Sequence, residues 1–599
     1  MIDIKLPEIG ENIEKGTVIK LLVSVGDQVT KGQDLLELET DKATIPVPSA
    51  YSGVIKEILI KEGQDVEIGA VIMRLDARSL ESGKAKPATP QPKPQAQQKT
   101  QAVRQHSLNV GETSPDLQRK SGGQPPVDLK NIKVAVVGAG PGGYAAAFLA
   151  ADLGLDITLI DRDINPGGVC LYRGCIPSKA LLHAAKVLSE SKDAKHFGIE
   201  FNKPKIDLDK LRGWKDSVVQ QLTGGLGILA KQRKVKYVRG TATFVDSTTL
   251  LIKKEDGSSE KSKFDYTVIA TGSRPIKLPF QPDSKRLLDS TTALELENIP
   301  KSLLLVGAGY IGLELGTVYA ELGGEVSVVE MMPGIIPGAD RDLAQVLEKR
   351  LKTIFKNIML STKVLGMKET KDGIKVSFED KDGKKFDETY EKVLVAIGRK
   401  PNSENLGLDK TKVKIDPKGF IEVNGQRRTA DPHIYAIGDV AGNPMLAHKA
   451  SHEGRIAVEA IAGHKVAFEP NAIPAVVFTD PEIAWAGLTE TEAKDQGIEV
   501  EVVKYPWAAS GRALTLNRSD GFTKLLIQPR TERILGVSIV GPGAGELIAE
   551  GVLALEMGSV VSDLKLSIHP HPTLTETLME SAEIFFGQST HVYKPRKKG

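Results

Sequence analysis

The sequence predicts a mainly α/β protein that begins with a small all-β sandwich. Three observations support this prediction: an internal repeat in residues 1–75, a proline-rich stretch after it, and strand–glycine turn–helix units in the remaining chain. The 599 residues leave room for roughly four domains of about 150 residues each. Hydrophobic residues make up 40% of the chain and charged residues 26%, which is typical of globular domains with large cores.

The repeat in residues 1–75 predicts two matching sheets that pack face to face. Short β-prone runs separated by glycine turns are typical of an all-β domain. Between the two halves, Thr40-Asp41-Lys42-Ala43 is expected to form a hairpin tip that displays Lys42 to solvent. The repeat has a spacing of 37 positions, by which Gly16, Gly26, Val29 and Gly32 return as Gly53, Gly63, Val66 and Gly69.

This segment resembles a lipoyl domain, in which the lysine of an Asp-Lys-Ala turn carries lipoic acid. The resemblance covers residues 1–75 and implies covalent lipoic acid on Lys42. Biotin-carrying domains share the architecture, but their turn is usually Met-Lys-Met, which differs from Asp41-Lys42-Ala43. An ordinary exposed turn lysine is the remaining alternative.

Residues 81–126 have the composition of a tether, because proline, glutamine, lysine, alanine, serine and threonine dominate them. A segment with so few apolar residues cannot form a core, and its prolines stiffen it toward polyproline II. The r.m.s. span of a coil of this length is on the order of 40 Å. We therefore expect a flexible linker between the all-β domain and the α/β part.

Two glycine-rich turns, each between a strand and a helix, predict two Rossmann-like nucleotide sites. Such a turn leaves backbone N–H groups at a helix N-terminus, where they can hold a pyrophosphate. Each unit ends on an acid 18 residues after its last glycine, Asp161 in the first and Glu330 in the second, and an acid there accepts hydrogen bonds from ribose hydroxyls. The glycines are Gly138, Gly140 and Gly143 in the first unit and Gly307, Gly309 and Gly312 in the second.

The two cysteines of the chain, Cys170 and Cys175, lie in one eight-residue stretch. A chain that kept thiols for packing would scatter them, so we interpret the pair as a redox couple. A static disulfide and two buried thiols are the alternatives. The pair shares its strand–helix unit with the first fingerprint, so a cofactor there is expected to mediate between the thiols and the second nucleotide.

The chemistry of thiols favours FAD at the first site and NAD at the second. Thiols exchange electron pairs readily with flavins, while nicotinamides accept hydride. At the second site Glu330 would repel a 2′-phosphate, and no arginine follows it directly, which favours NAD over NADP. Other nucleotides at the two units are the alternative.

The composition also excludes several classes of partner. A net charge of +2 does not favour binding to nucleic acid or to an anionic membrane surface. No apolar run approaches the roughly 20 residues of a membrane span, and the N-terminus lacks a signal-peptide pattern. We expect a cytoplasmic or organelle-matrix protein, in which a cysteine pair is more often catalytic than structural.

Residues 130–590 resemble the pyridine nucleotide-disulfide oxidoreductase family, and within it the dihydrolipoamide dehydrogenases. The segment Gly167-Gly-Val-Cys-Leu-Tyr-Arg-Gly-Cys-Ile-Pro-Ser-Lys179 is close to the redox signature of that family. It departs from the signature at Val169, where threonine is usual, and at Leu171-Tyr-Arg in the variable middle. Neither departure removes a reacting atom.

The resemblance implies that the chain oxidises protein-bound dihydrolipoamide through a Cys170–Cys175 disulfide and FAD, with hydride transfer to NAD⁺. It makes Cys170 the interchange sulfur and Cys175 the sulfur that faces the flavin. Glu314 would lie near the nicotinamide, and Gly398 would line the NAD site. The further FAD contacts that it implies are Lys179, Thr271, Gly272, Ser273, Asp439, Met445, Leu446, Ala447 and His448.

The C-terminal segment His569-Pro-His571-Pro-Thr-Leu-Thr-Glu576 predicts an acid–base pair. Its prolines prevent a helix, so the histidines are expected to project from a rigid turn, with Glu576 on the helix that follows. A carboxylate bonded to one ring nitrogen fixes the tautomer and raises the basicity of the other nitrogen. A His-x-His metal site without accompanying ligands, and a histidine that is merely satisfied in a turn, are the alternatives.

The resemblance makes His571 the base and Glu576 its orienting acid, with Thr575 in place of the usual serine. It implies a homodimer in which this histidine reaches the disulfide of the other subunit. It also implies a lipoyl-bearing acyltransferase of a 2-oxo acid dehydrogenase complex as partner. We expect no metal, because no Cys, Asp or Glu ligand cluster accompanies the histidines.

The expected domains follow from these features. They are a lipoyl-binding domain (1–80), a linker (81–126), an FAD-binding domain with the redox disulfide (127–275), an NAD-binding domain (276–400), a central domain that completes the FAD site (401–470) and an α+β dimerisation domain (471–599).

Other functions remain open from the sequence. A glutathione-type reductase would carry an NADP-type arginine near Glu330, and a mercuric reductase would carry a second, C-terminal cysteine pair, which is missing after Cys175. Outside this enzyme class, the chain could be a surface or scaffold binding protein on an inherited flavoprotein fold. It could also be a carrier whose large part is idle.

Overall fold

The N-terminal unit is an all-β domain in which alternating apolar residues of two sheets meet in one core. The computed structural model of the chain describes residues 2–6, 15–30, 33–39, 44–76 and 129–593. The hairpin tip with Lys42 and the linker 81–126 lie outside these residues. The described strands are β1 (Ile2–Lys5), β2 (Lys15–Leu21), β3 (Gln28–Val29), β4 (Asp34–Glu39), β5 (Thr44–Pro48), β6 (Gly53–Ile58), β7 (Asp65–Glu67) and β8 (Val71–Asp76).

These strands form two four-stranded sheets with the orders β1-β8-β6-β3 and β5-β4-β2-β7. The repeat places β2 in one sheet and the equivalent β6 in the other. Gly26 and Gly63 occupy matching turns with φ of +99° and +83°, a region that favours glycine. Val29 and Val66 are both buried in the shared core. The predicted all-β sandwich is confirmed.

The second unit begins with a seven-stranded sheet that carries the first glycine turn and the cysteines. Five of its strands pair in parallel, namely β11, β10, β9, β14 and the later strand β25 (Ile434–Ala436). The order is β13-β12-β11-β10-β9-β14-β25. The elements up to β14 are β9 (Lys133–Val137), α1 (Pro141–Asp152), β10 (Asp156–Asp161), α2 (Gly168–Arg173), α3 (Cys175–Asp193), α4 (Leu208–Gln232), β11 (Lys236–Asp246), β12 (Thr249–Lys254), β13 (Ser259–Lys263) and β14 (Tyr266–Ile269).

A second α/β layer carries the other glycine turn. Its parallel sheet has the order β16-β23-β17-β18-β19, and an antiparallel sheet β20-β21-β22 covers it. The elements are β15 (Ser273–Pro275), β16 (Leu287–Leu288), β17 (Ser302–Val306), α5 (Tyr310–Glu321), β18 (Glu325–Val329), α6 (Arg341–Ile354), β19 (Asn357–Met359), β20 (Lys363–Thr370), β21 (Gly373–Glu379), β22 (Lys385–Tyr390), β23 (Lys392–Val395) and β24 (Arg399–Pro401).

The chain enters and leaves this second layer through a two-stranded ribbon. β15 pairs antiparallel with β24, with Ser273 opposite Pro401 and Pro275 opposite Arg399. Beyond the ribbon the chain returns to the first sheet as β25 (Ile434–Ala436), which pairs with β14, and continues as α7 (Ala447–Ile461). Helices α1 and α7 approach closely, because a Cβ at Gly454 would lie 2.6 Å from the carbonyl oxygen of Gly142.

The C-terminal part is an antiparallel sheet of order β26-β27-β30-β29-β28 covered by helices. No helix in the part of the chain that the structure describes is long and apolar enough to cross a membrane. The elements are β26 (Ala475–Val477), β27 (Glu482–Gly487), α8 (Glu490–Asp495), β28 (Glu501–Pro506), α9 (Gly511–Thr515), β29 (Phe522–Ile527), β30 (Ile534–Gly541), α10 (Ala544–Glu556), α11 (Val561–Leu566) and α12 (Glu576–Phe585).

A buried lysine joins this sheet to the second α/β layer. Lys524 on β29 is fully buried, and its Nζ lies 2.6 Å from Asp340, 3.0 Å from Asp342 and 2.8 Å from Glu490. Burial favours the neutral amine, but the three carboxylates outweigh it and raise the pKa of Lys524. The ammonium group occupies the position that a metal ion would take among these three acids.

Candidate active site

A cavity of about 1210 Å³ lies at the carboxyl ends of the parallel strands in the first sheet. Both cysteines and Glu314 line it. Leu446 and His448 of the predicted FAD contacts do not, and neither do His571 and Glu576. The predicted FAD residues that line it are Gly138, Gly140, Gly143, Asp161, Lys179, Thr271, Gly272, Ser273, Asp439, Met445 and Ala447.

The first glycine turn is shaped to leave space beside the N-terminus of α1. A Cβ at Gly143 would overlap the carbonyl oxygen of Gly138, so the turn packs on itself. A Cβ at Gly140, in contrast, would meet no protein atom within 4 Å. The free backbone N–H groups of a helix N-terminus border this space, and they attract anions such as phosphate.

The second glycine turn repeats this geometry at α5. A Cβ at Gly307 would lie 2.7 Å from the carbonyl oxygen of Ala396, and one at Gly312 would lie 2.6 Å from that of Gly307. A Cβ at Gly309 would again meet nothing within 4 Å. The three glycines of this turn and Gly398 do not line the cavity of the cysteines, but Tyr310 and Ile311 of the same turn do, so the second predicted nucleotide site borders that cavity.

Asp161 and Glu330, the acids at the ends of the two units, each accept a hydrogen bond from the glycine turn of the same unit. Asp161 accepts a hydrogen bond from the N–H of Ala139 at 2.6 Å, and Glu330 accepts one from the N–H of Ala308 at 2.8 Å. Each ionised carboxylate offers about four lone-pair sites, so both can still accept bonds from a ribose.

The cysteines lie on two successive helices. Cys170 is in α2, and Cys175 is the exposed first residue of the 19-residue helix α3, as its Ile-Pro-Ser-Lys context predicts. A hydrogen bond from the Cys170 thiol, together with the nearby Lys179 ammonium group, lowers the pKa of Cys175 to about 7 although burial opposes this. The same contact and burial raise the pKa of Cys170. These two shifts favour Cys175 over Cys170 as the position of a thiolate in the reduced pair.

Lys179 and Glu314 form an ion pair beside Cys175. Their side chains meet at 2.8 Å, and Glu314 is 3% exposed. The backbone N–H of Phe478 donates to the other oxygen of Glu314 at 2.9 Å, and Lys179 Nζ lies 4.4 Å from the centre of the Phe478 ring. Lys179, from the unit with the first glycine turn, and Glu314, from the unit with the second, thus touch at the cavity.

Asp439 is held from two sides. Its Oδ2 accepts a hydrogen bond from Ser273 Oγ at 2.5 Å, and Arg399 donates to the same hydroxyl at 2.7 Å. The N–H of the preceding Gly438 donates to the buried Glu453 at 2.6 Å.

Two other predicted FAD contacts have partners of their own. Thr271 is fixed by Asn402, whose carbonyl oxygen accepts a hydrogen bond from the Thr271 hydroxyl at 2.8 Å. His448 instead donates to the carbonyl of Pro474 at 2.8 Å, and burial lowers its pKa.

The C-terminal histidine and acid are hydrogen-bonded. His571 Nδ1 donates to Glu576 Oε1 at 2.8 Å, while the N–H of Thr573 donates to Oε2 at 2.8 Å. Although burial opposes it, these bonds lower the pKa of Glu576. The His571 side chain is 72% exposed, so its other nitrogen is accessible. His569 is engaged separately by Glu550 at 2.7 Å.

The residues of the first site fit FAD, because the open space at Gly140, Asp161 and Asp439 supply the anion and hydroxyl contacts that a dinucleotide needs. The second site fits NAD in the same way, through Gly309 and Glu330. The sequence did not reveal Arg399, Asn402 and Phe478. Their contacts join segments more than 100 residues apart, so no local pattern marks them.

Comparison with known proteins gives matches to three family models. Residues 132–454 match the pyridine nucleotide-disulphide oxidoreductase model, and residues 473–582 match the dimerisation domain of the same family. Residues 2–75 match the model described as biotin-requiring enzyme.

The curated relatives include dihydrolipoyl dehydrogenases. That of Haemophilus influenzae is 51% identical over 474 residues, which cover 78% of this chain and 98% of the relative. That of Geobacillus stearothermophilus is 47% identical and covers 76% of this chain and 97% of the relative.

Solved structures share the fold. The crystal structure of LpdA from Mycobacterium tuberculosis has a TM-score of 0.71 at 28% identity and covers 76% of this chain and 99% of its own. A Cu(II) complex of the flavoprotein disulfide reductase RclA from Escherichia coli, with a cysteine-to-serine change, has a TM-score of 0.68 at 25% identity. It covers 75% of this chain and 98% of its own.

Fold and site together define a disulfide oxidoreductase with two dinucleotide sites. The chain belongs to the pyridine nucleotide-disulphide oxidoreductase family, within it to the dihydrolipoyl dehydrogenases (EC 1.8.1.4), and carries an additional N-terminal domain of the biotin/lipoyl type. The family implies FAD and NAD as cofactors.

Proposed function

We propose that Cys170 and Cys175 are the disulfide through which this chain oxidises dihydrolipoyl groups of a 2-oxo acid dehydrogenase complex. The observation that supports this proposal is their position in one cavity with the first glycine turn and the Lys179–Glu314 pair. A cytoplasmic location fits the proposal, because a reducing compartment leaves cysteines available for catalysis.

The thiol steps follow from the different states of the two sulfurs. A substrate thiolate attacks Cys170 Sγ, which breaks the Cys170–Cys175 bond and releases Cys175 as the thiolate that its environment favours. The second substrate thiol, after losing its proton, attacks the substrate sulfur of this mixed disulfide and releases Cys170. The substrate leaves as the cyclic disulfide, and the cysteines hold the two electrons that it lost.

FAD, when bound, would accept this electron pair, and NAD⁺ would be the final acceptor, which takes the pair in the form of hydride. In this proposal the chain's own residues orient the two groups. Gly138, Gly140 and Asp439 hold the first dinucleotide, and Gly309 and Glu330 hold the second. Glu314 and Lys179 maintain balanced charge where the two sites meet.

The direct test replaces one sulfur at a time. Cys175→Ser is expected to abolish lipoamide-dependent NAD⁺ reduction while the purified protein remains yellow, because the flavin contacts are untouched. Cys170→Ser is the matched variant and should also lose turnover. Full lipoamide turnover in Cys175→Ser would refute the assignment.

We further propose a homodimer in which His571 and Glu576 of one subunit serve the cysteines of the other. The match to a dimerisation domain over residues 473–582 supports this, as does the separation of His571 from the cavity of its own subunit. His571 would take the proton of the substrate thiol, with Glu576 fixing the tautomer through Nδ1.

Mixed dimers test this arrangement. His571→Gln and Cys175→Ser homodimers are each expected to lose most turnover with normal FAD content. When the two inactive proteins exchange subunits at random, one intact site per mixed dimer restores about a quarter of wild-type activity. If the proteins stay inactive after proven exchange, each site uses a histidine of its own subunit.

The N-terminal domain leads to a third proposal, that Lys42 carries lipoic acid and exchanges electrons with this active site or with the acyltransferase of a complex. The Asp41-Lys42-Ala43 turn and the family match over residues 2–75 support it. The intact mass of the N-terminal domain should increase by one lipoyl group in the wild type and not in Lys42→Arg. NADH should then expose two alkylatable thiols on that group, and their absence would contradict the electron exchange.

A further inference from the structure

The middle of the cysteine segment is attached to the loop that follows the first nucleotide strand. Arg173 donates two hydrogen bonds to Asp163, at 3.0 Å to Oδ1 and 2.6 Å to Oδ2. The Tyr172 hydroxyl donates to the carbonyl of Asn165 at 3.1 Å and accepts from its N–H at 3.2 Å. Both side chains belong to the stretch in which the sequence departs from the usual family signature.

The β10–α2 loop (residues 162–167) is itself fixed to the body of the domain. The N–H of Asp163 donates to Asp161 at 3.0 Å, and Tyr237 donates to the carbonyl of Asp163 at 2.8 Å. Asn165 fits against α4 only because Gly227 lacks a side chain, since a Cβ there would overlap the Asn165 amide. The loop is therefore a firm anchor for whatever binds it.

Helix α2 needs such an anchor. It has six residues, and a helix this short has little stability without tertiary contacts. Cys170 lies in α2, whereas Cys175 belongs to the long helix α3. The relative position of the two sulfurs therefore depends on what holds α2.

We propose that Tyr172 and Arg173 are positioning residues that clamp α2 to the β10–α2 loop and so hold the Cys170 thiol against Cys175. This inference rests on the proposed role of the two cysteines. In this proposal the variable middle of the segment keeps the two reduced cysteines in contact. In that geometry Cys170 stabilises the Cys175 thiolate.

The consequence is measurable at Cys175. Without the clamp, Cys170 moves away, its hydrogen bond is lost and the pKa of Cys175 rises from about 7. The other titratable groups around Cys175 are Lys179, Glu314, Tyr144 and Tyr310, and none of them is altered when the clamp residues are replaced.

The test uses the full-length holoenzyme, reduced with dithiothreitol under anaerobic conditions and then freed of it. The variants are Arg173→Met and Tyr172→Phe, and Arg233→Met is the matched control, because Arg233 forms an ion pair with Asp152 at 3.0 Å on the same domain. The rate of alkylation by iodoacetamide is followed against pH, and mass spectrometry identifies the labelled sulfur. The chain has two cysteines, both in this segment, so other thiols do not interfere.

Both clamp variants are expected to shift the alkylation profile of Cys175 to higher pH with FAD retained, while Arg233→Met titrates as the wild type. A rise of one pKa unit lowers the rate at pH 7 about five-fold. Arg173→Lys should recover part of the shift, because lysine keeps the charge without the bidentate geometry.

Wild-type titration in both clamp variants would overturn the inference. If Arg173→Met does not fold, the Tyr172→Phe profile alone decides, because that change removes one hydroxyl and keeps the ring. Failure of the proposed function is recognised separately: in that case NADH does not produce alkylatable cysteines in the oxidised wild type, whatever the dithiothreitol-reduced variants show.

Discussion

At the scale of single residues, the two sulfurs of the pair differ because of their positions on two helices. Cys175 begins α3, where the helix N-terminus and Lys179 favour a negative charge, while Cys170 acts as the hydrogen-bond donor. This asymmetry separates the roles of two residues of the same type. One sulfur is suited to exchange with substrate and the other to remain as the thiolate.

The pKa of Cys175 predicts how the reduced enzyme reacts with pH. The thiolate is the reactive form, so alkylation of Cys175 should rise about ten-fold per pH unit below 7 and level off above it. Alkylation rates of the dithiothreitol-reduced wild type measure this. A midpoint near the ordinary thiol value of about 8.5 would contradict the described environment.

The buried position of Lys524 predicts that it contributes much more stability than Lys504, which contacts two of the same three acids. Lys524→Met leaves Asp340, Asp342 and Glu490 without their buried counter-charge and should cost roughly 3–5 kcal/mol of stability. Lys504→Met is the matched control, because Lys504 contacts Asp342 from a half-exposed position and should cost less than about 1 kcal/mol. The thermal midpoints of both variants are measured as holoenzymes against the wild type. A wild-type midpoint in Lys524→Met would contradict the stabilising role of the cluster.

The residues of the site divide into those that a local pattern predicts and those that tertiary contacts create. Glycine spacing and the isolation of two cysteines marked Gly140 and Cys175, and these line one cavity. Arg399 and Phe478 were missed because Arg399 acts on Ser273, 126 residues away, and Phe478 acts on Glu314, 164 residues away. The residues next to Arg399 and Phe478 in the sequence form no motif that would mark these two as part of the site.

At the scale of elements, the three glycines of each glycine turn have different structural roles, and these roles are the same in both turns. In each turn the first and last glycines allow close contact between backbone segments, and the middle one borders open space. The predicted strand–turn–helix units are confirmed at β9–α1 and β17–α5. Folding and ligand binding therefore depend on different glycines of one motif.

This division predicts opposite behaviour for two alanine substitutions. Gly143→Ala forces a Cβ onto the carbonyl of Gly138 and should cost about 1–3 kcal/mol in the FAD-free protein. Gly140→Ala should leave the thermal midpoint of the FAD-free protein unchanged but weaken FAD binding, because the methyl group enters the open space. Titration with FAD, followed by flavin fluorescence, measures the second effect, and unchanged affinity in Gly140→Ala would place the pyrophosphate elsewhere.

At the scale of the whole molecule, the chain divides into two compact units, residues 1–119 and 120–599. The curated relatives match about three quarters of the chain and nearly all of their own length, so the N-terminal unit is an addition to a complete oxidoreductase. Sequence reasoning predicted the all-β N-terminal domain and the α/β part because the repeat and the fingerprints are local signals, while the linker and the domain boundaries stay predictions. It could not supply the order of the strands within each sheet, which long-range pairing decides.

The division predicts that the oxidoreductase works without its addition. A chain that lacks residues 1–119 should bind FAD and turn over free lipoamide within about two-fold of the full chain, because the candidate site lies entirely in the second unit. Steady-state assays with free lipoamide measure this. Loss of flavin or turnover in the shortened chain would show that the N-terminal unit supports the catalytic one.

The β15–β24 ribbon has a consequence for protein engineering. Ser273–Pro275 and Arg399–Pro401 run side by side, so the segment between them is one contiguous insert whose two ends are neighbours in space. Another coenzyme module with equally close termini could be transplanted there without cutting the parent sheet. A new insert would also have to replace the contacts that Glu314 and Asp340 make with Lys179 and Lys524 outside the exchanged segment.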